Sequence, residues 1–137
     1  MKTPYDAAQR VLKRELDDVR QALGAAEAQA AAFAAMAERA ALQLKRELAV
    51  AGTDPRLDVG AYAAAKRVEI ERLKRELAKI EIEIERLRAR LLEKFEALKP
   101  LDFASDDYRA AKRREAAKRE LAKLDDVAGR VPARRAR

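Results

Sequence analysis

The chain has no cysteine, no histidine and no tryptophan, and only four glycines and four prolines among its 137 residues. The first two absences exclude disulfides, thiolate chemistry and the usual zinc ligand sets, and they remove the commonest acid–base side chain. A cysteine-free chain fits a reducing cytoplasm. Ser105, the single serine, has no histidine to activate it as a nucleophile. Gly24, Gly52, Gly60 and Gly129 each stand alone, so no glycine-rich phosphate loop forms. Aromatic residues make up 4% of the chain, and a rounded core would be short of large side chains. Long apolar runs are missing as well. The longest uncharged stretch among the alanines, Ala28 to Ala37, is ten residues, about half of what a bilayer span needs. The start, Lys2-Thr3-Pro4-Tyr5-Asp6, lacks the apolar run of a secretory signal. Glu81, Glu83 and Glu85 alternate with isoleucines as solvated helix faces do and make no cleft for acid–base work. The expectation is no enzyme, no cofactor, no metal and no small-molecule substrate.

What the chain has in abundance is charge, at 40% of residues, in the Ala, Glu, Lys, Leu and Arg mixture of long patterned helices. Two apolar stripes mirror each other about Pro55. Ala51 pairs with Val59, Leu48 with Tyr62, Leu44 with Lys66, Ala40 with Ile70 and Ala37 with Leu73. The series continues with Phe33 and Leu77, Ala30 and Ile80, Ala26 and Ile84, Leu23 and Leu87, Val19 and Leu91, and Leu12 and Leu98; each pair of numbers sums to 110. The steps of four and three are those of a coiled-coil seam. The mirror relation predicts an all-α fold in which one chain folds back into an antiparallel two-helix hairpin, roughly 60 Å long at 1.5 Å per residue. Small residues on the first stripe face large ones on the second, which lets the backbones approach without voids. The seam falters at Lys66, and near Lys94, where Phe95 is expected to take over.

Local signals set the expected bounds of a single coiled-coil domain. Thr3 caps a first helix over about 4–51 with Pro4 at its first position. Residues 52–58 turn, with Asp58 as the N-cap of a second helix over about 59–99. Pro100 predicts a break over 100–105, because proline removes a helix hydrogen bond and clashes with the preceding turn. Ser105 and Asp106 restart a third helix over about 106–128, and 129–137 is a basic tail. Leu-Lys-Arg-Glu-Leu recurs at Leu12, Leu44 and Leu73 without a fixed period, which excludes a solenoid.

The net charge of +7 is uneven: residues 100–137 hold 11 basic and 7 acidic side chains. Lys112-Arg113-Arg114, Lys118-Arg119 and Arg134-Arg135-Arg137 form patches able to attract nucleic acid. Interleaved carboxylates and a lack of stacking aromatics favour an acidic protein surface over nucleic acid; an ordinary solvated face is the third reading. Tyr62 beside the turn is either a partner anchor or a cap on the seam against Leu48. A generic coiled-coil scaffold or dimerisation protein fits the same pattern.

Three segments carry a family likeness. Ala61-Tyr62-Ala63-Ala64-Ala65 follows the turn, Glu93-Lys94-Phe95-Glu96-Ala97-Leu98-Lys99 ends the second stripe, and Arg114-Glu115 precedes Glu120-Leu121-Ala122-Lys123-Leu124-Asp125-Asp126-Val127-Ala128. Together they resemble the FliJ family of flagellar type III export proteins, whose C-terminal stretch ends in Leu-Asp-Glu-x-Ala; here Asp126 replaces the glutamate. Pro100 departs from the family, in which that helix is generally continuous, and the stalk proteins of injectisomes share the architecture. The resemblance implies a cytoplasmic stalk, peripheral to the membrane-embedded export apparatus. Its partners would be the export ATPase hexamer, the export gate protein and substrate chaperones. Carried onto this chain, the ATPase-facing end is Arg10, Lys13, Arg14 and Arg20 with Lys112, Arg113, Arg114, Lys118, Arg119 and Leu124. Tyr62 becomes a candidate contact for gate or chaperone.

Overall fold

The computed structural model describes residues 1–54, 56 and 59–135, with side chains through Arg130. It contains two helices, α1 (Asp6–Thr53) and α2 (Gly60–Arg135), and no strand among the described residues. They pack against each other as a helical hairpin, in two compact units: residues 1–15 with 94–137, and residues 16–93.

In the unit 16–93, Leu16, Val19, Ala40, Ala63, Leu73, Ile84 and Leu87 are buried. Ala26, Ala30, Phe33, Ala37, Leu44, Ile70, Leu77, Ile80 and Leu91 are partly covered. These are the mirrored stripes, and the pairing is antiparallel. Lys66 Nζ donates to Gln43 Oε1 at 2.9 Å, and Arg88 meets Glu27 at 3.8 Å. Burying each leucine or isoleucine contributes about 1.5–3 kcal/mol. Near the turn the seam differs from the expectation. Tyr62 and Leu48 are exposed, while Ala63 is 4% exposed. The alternation of steps explains this: 59, 63, 66, 70 and 73 advance by four, three, four and three, whereas Tyr62 breaks that order.

In the unit formed by 1–15 and 94–137, Thr3 caps α1 as expected. Its hydroxyl donates to Asp6 Oδ1 at 2.8 Å, its backbone N–H donates to Asp6 Oδ2 at 3.1 Å, and the Tyr5 N–H donates to the Thr3 hydroxyl at 3.3 Å. This reciprocal box satisfies donors that a helix start otherwise leaves bare. Lys94, not Phe95, occupies the seam: its ammonium donates to Glu15 at 2.8 Å, and Phe95 is 37% exposed. A lysine stem covers apolar surface while its head stays wet and paired.

The expected break at 100–105 and the separate third helix at 106–128 do not occur. α2 runs through Pro100 and on past Gly129 to Arg135, so residues 129–135 of the expected tail are helical. Pro100 and Glu96 are both exposed, so water can reach the carbonyl whose donor the proline removes. The seam also stays in phase across the proline, with Leu91, Lys94, Leu98, Leu101, Ser105 and Tyr108 partly or fully covered. Burial on both sides outweighs the proline penalty of about 3 kcal/mol. Pro55 and Asp58, assigned to the turn and the N-cap, lie outside the described residues, as do the side chains of Arg134 and Arg135 and all of Arg137.

Candidate partner-binding surface

The last layers of the unit formed by 1–15 and 94–137 are polar. Ser105 is fully buried, Thr3 is 8% exposed, and their hydroxyls lie 3.4 Å apart. One turn along, Gln9 Nε2 donates to Asp102 Oδ1 at 2.8 Å. Arg109 reaches Asp6 at 3.9 Å and Asp106 at 3.8 Å. The Thr3 hydroxyl, then the Thr3 backbone N–H, hold the Asp6 carboxyl below its usual range; partial desolvation opposes them, and the charges of Arg109 and Arg10 assist.

An open groove of about 580 Å³ runs beside this cap, and Lys2, Arg10, Lys13 and Arg109 gather there around Asp6. Arg10 and Lys13 were expected at a working end; Lys2 and Arg109 were not. Arg109 became visible only with α2 continuous, because its register against Asp6 depends on the helix not stopping at Pro100. Arg14 is exposed on α1 of the same unit. Arg20 and Tyr62 belong to the other unit. Tyr62 is 38% exposed, with the Lys66 ammonium 5.8 Å from its ring centre, so it is not buried as a seam cap.

Beyond Ala110 no residue of α1 covers α2: every described side chain from Ala111 to Arg130 is exposed. Lys112, Arg113, Arg114, Lys118, Arg119 and Leu124 all lie on this uncovered length and do not line the groove. Ion pairs along the helix support it, Arg119 to Glu115 at 2.8 Å, Lys112 to Glu115 at 3.7 Å and Lys123 to Glu120 at 4.0 Å. The Lys112 ammonium also lies 5.6 Å from the Tyr108 ring centre. Among the described residues no cluster of His, Cys, Asp or Glu is arranged to hold a metal, and no helix is long and apolar enough to cross a membrane. These surfaces are chemically fit for electrostatic contact with another macromolecule.

The family model described as flagellar FliJ protein matches residues 6–137. The chain belongs to the FliJ family. Its members are components of flagellar type III protein export, a family of structural and regulatory stalks. No curated protein and no solved structure matches the chain significantly. The family match spans both helices and includes the uncovered length of α2.

Proposed function

We propose that this chain acts as the stalk of the flagellar export machinery, binding the export ATPase hexamer and promoting its assembly and hydrolysis. It does so as a cytoplasmic protein at the periphery of the membrane-embedded apparatus, and it catalyses no reaction itself. The observation that carries this reading is the family match over residues 6–137. The charge layout supports it. One unit carries Arg10, Lys13 and Arg14 on α1, and Lys112, Arg113, Arg114, Lys118 and Arg119 with Leu124 on α2. Exposed charges on a shaft permit sliding or turning within a pore more readily than interlocked apolar side chains. Arg20 closes the ATPase-facing stretch of α1, in the neighbouring unit, and the accessible Tyr62 lies on the body of the hairpin, which contacts the export gate protein and substrate chaperones.

The test adds the chain in increasing amounts to the export ATPase of the same bacterium and follows hydrolysis and hexamer formation together. Stimulation of both, lost when residues 111–137 are removed, is the expected result. No change in either, with the hairpin shown to be folded, would leave a coiled-coil scaffold without an ATPase partner.

A further inference from the structure

The groove beside the Thr3 cap carries positive charge that the chain itself leaves unpaired. Elsewhere on the hairpin, cations pair with carboxylates three residues away, as Lys66 does with Glu69, Lys79 with Glu76 and Arg86 with Glu83. Between Asp6 and Glu15 there is no acidic residue, while Arg10, Lys13 and Arg14 all fall there. The nearby carboxylates are committed. Both oxygens of Asp6 accept from Thr3, and Arg109 lies between Asp6 and Asp106. Glu15 is taken by Lys94, Asp17 by Arg20, and Asp102 by Gln9. Lys2, Arg10 and Lys13 are exposed and make no ion pair among the described residues, although the charge of Arg10 is felt at Asp6.

We infer that this groove takes an extended acidic segment of a partner protein, with carboxylates of that segment beside Lys2, Arg10 and Lys13. Three exposed cations around one committed carboxylate make the local field positive, and a surface of that kind selects opposite charge. Each contact is an exposed ion pair, weak alone and screened by salt. Several of them along one short segment give a reversible hold. The contact stands whether or not the export ATPase is the protein that carries the segment.

Shape and lining favour this occupant over other anions. The groove is open and about 580 Å³ in volume. Its α1 wall from Asp6 to Lys13 is roughly 10 Å long at 1.5 Å per residue, a length that an extended peptide covers in about three residues. A single small ion would leave most of that length unused. Asp6, set among the cations, repels a compact and multiply charged phosphate, whereas carboxylates spaced along a peptide sit beside the cations and pass Asp6 by. No aromatic side chain lines the groove, so a nucleobase has nothing to stack on. Its apolar lining is Pro4 and Ala7, too little to enter a bilayer. The Thr3 cap already occupies the start of α1, so recognition falls to side-chain charge.

Fluorescence anisotropy of a labelled hexaglutamate peptide titrated with the full chain at low salt tests it, with circular dichroism confirming that each variant keeps its helices. Arg10→Glu combined with Lys13→Glu should weaken binding by roughly tenfold or more, since two attractions become two repulsions. Arg113→Glu combined with Lys118→Glu lowers the net charge by the same amount on the uncovered length of α2, outside the groove, and should weaken binding by less than about threefold. Arg10→Gln combined with Lys13→Gln, which only removes charge, should fall between the two. Equal losses from the groove pair and the α2 pair would mean attraction to net charge alone and would overturn the groove. Tighter binding of a hexathymidylate oligonucleotide, or of phosphatidylserine vesicles, that is lost with Arg10→Glu and Lys13→Glu would overturn the choice of partner. So would the absence of peptide binding at millimolar chain concentration.

Discussion

Leu73→Ala is the most direct probe of how α1 and α2 hold together. Leu73 is 1% exposed and faces Ala37 in the mirrored register. The substitution removes three carbons from a buried site, a transfer loss of about 2.4 kcal/mol at ~0.8 kcal/mol per methylene. A cavity cost adds to this, and comparable changes in deep cores reach about 5 kcal/mol. Here the neighbouring Ile70, Leu77 and Ala37 are only partly covered, so the site can relax and water can enter. The expected loss is therefore about 2–3 kcal/mol, a fall in midpoint temperature of roughly 8–12 °C for a chain of this length. Urea and thermal unfolding followed by far-UV circular dichroism measure it. Ile82→Ala serves as the control, since Ile82 is 70% exposed and its truncation should stay within about 0.5 kcal/mol. Equal effects from the two substitutions would refute the packing described, because they would mean that Leu73 has no more to lose than a surface residue.

Pro100→Ala should stabilise the chain by about 1–3 kcal/mol, because it restores a hydrogen bond inside a continuous exposed helix; an unchanged midpoint would indicate a break at that point. Tyr62→Ala should change stability by less than about 1 kcal/mol, since the ring lies off the seam, and a fall of several degrees would return Tyr62 to the core. The depressed Asp6 carboxyl makes the cap depend on pH. Its folded value lies below its unfolded one, so its contribution is complete above the usual carboxylate range and disappears as pH falls through the folded value. Asp6→Asn should therefore be less stable than the wild type at neutral pH and converge with it in acid, and a difference independent of pH would contradict the cap. Ending the chain after Ala110 should leave the unfolding midpoint of the hairpin within about 2 °C of the full chain while lowering total helicity; a large fall would mean that residues 111–137 support the hairpin.

The hairpin was legible because burial repeats along a helix with a fixed period, and two stripes that mirror each other have few other ways to be covered. Thr3 and Asp6 were equally readable, since a cap is a local pattern. At Pro100 a local rule and the seam conflict, and the seam prevails. Leu91, Lys94, Leu98, Leu101, Ser105 and Tyr108 keep the four and three alternation straight through the proline, and that phase was the available signal. Lys94 is charged, yet it keeps the step and is partly covered, whereas Phe95 is apolar but out of step and exposed. Of the candidate contact residues, Arg10 and Lys13 meet in the basic groove. Arg109 joins them through a register that only an unbroken α2 supplies, and Lys2 carries no pattern of its own.

The hydrogen bonds between the helices are nested. Gln43 and Lys66 are 23 residues apart along the chain, Glu15 and Lys94 are 79 apart, Gln9 and Asp102 are 93 apart, and Thr3 and Ser105 are 102 apart. Loop-closure entropy rises only with the logarithm of loop length, and each inner contact shortens the loop left for the next. An order of closure from the turn outward keeps the loop short at every step. The contact at the end that bears the basic groove thus owes its short closing loop to every contact made before it.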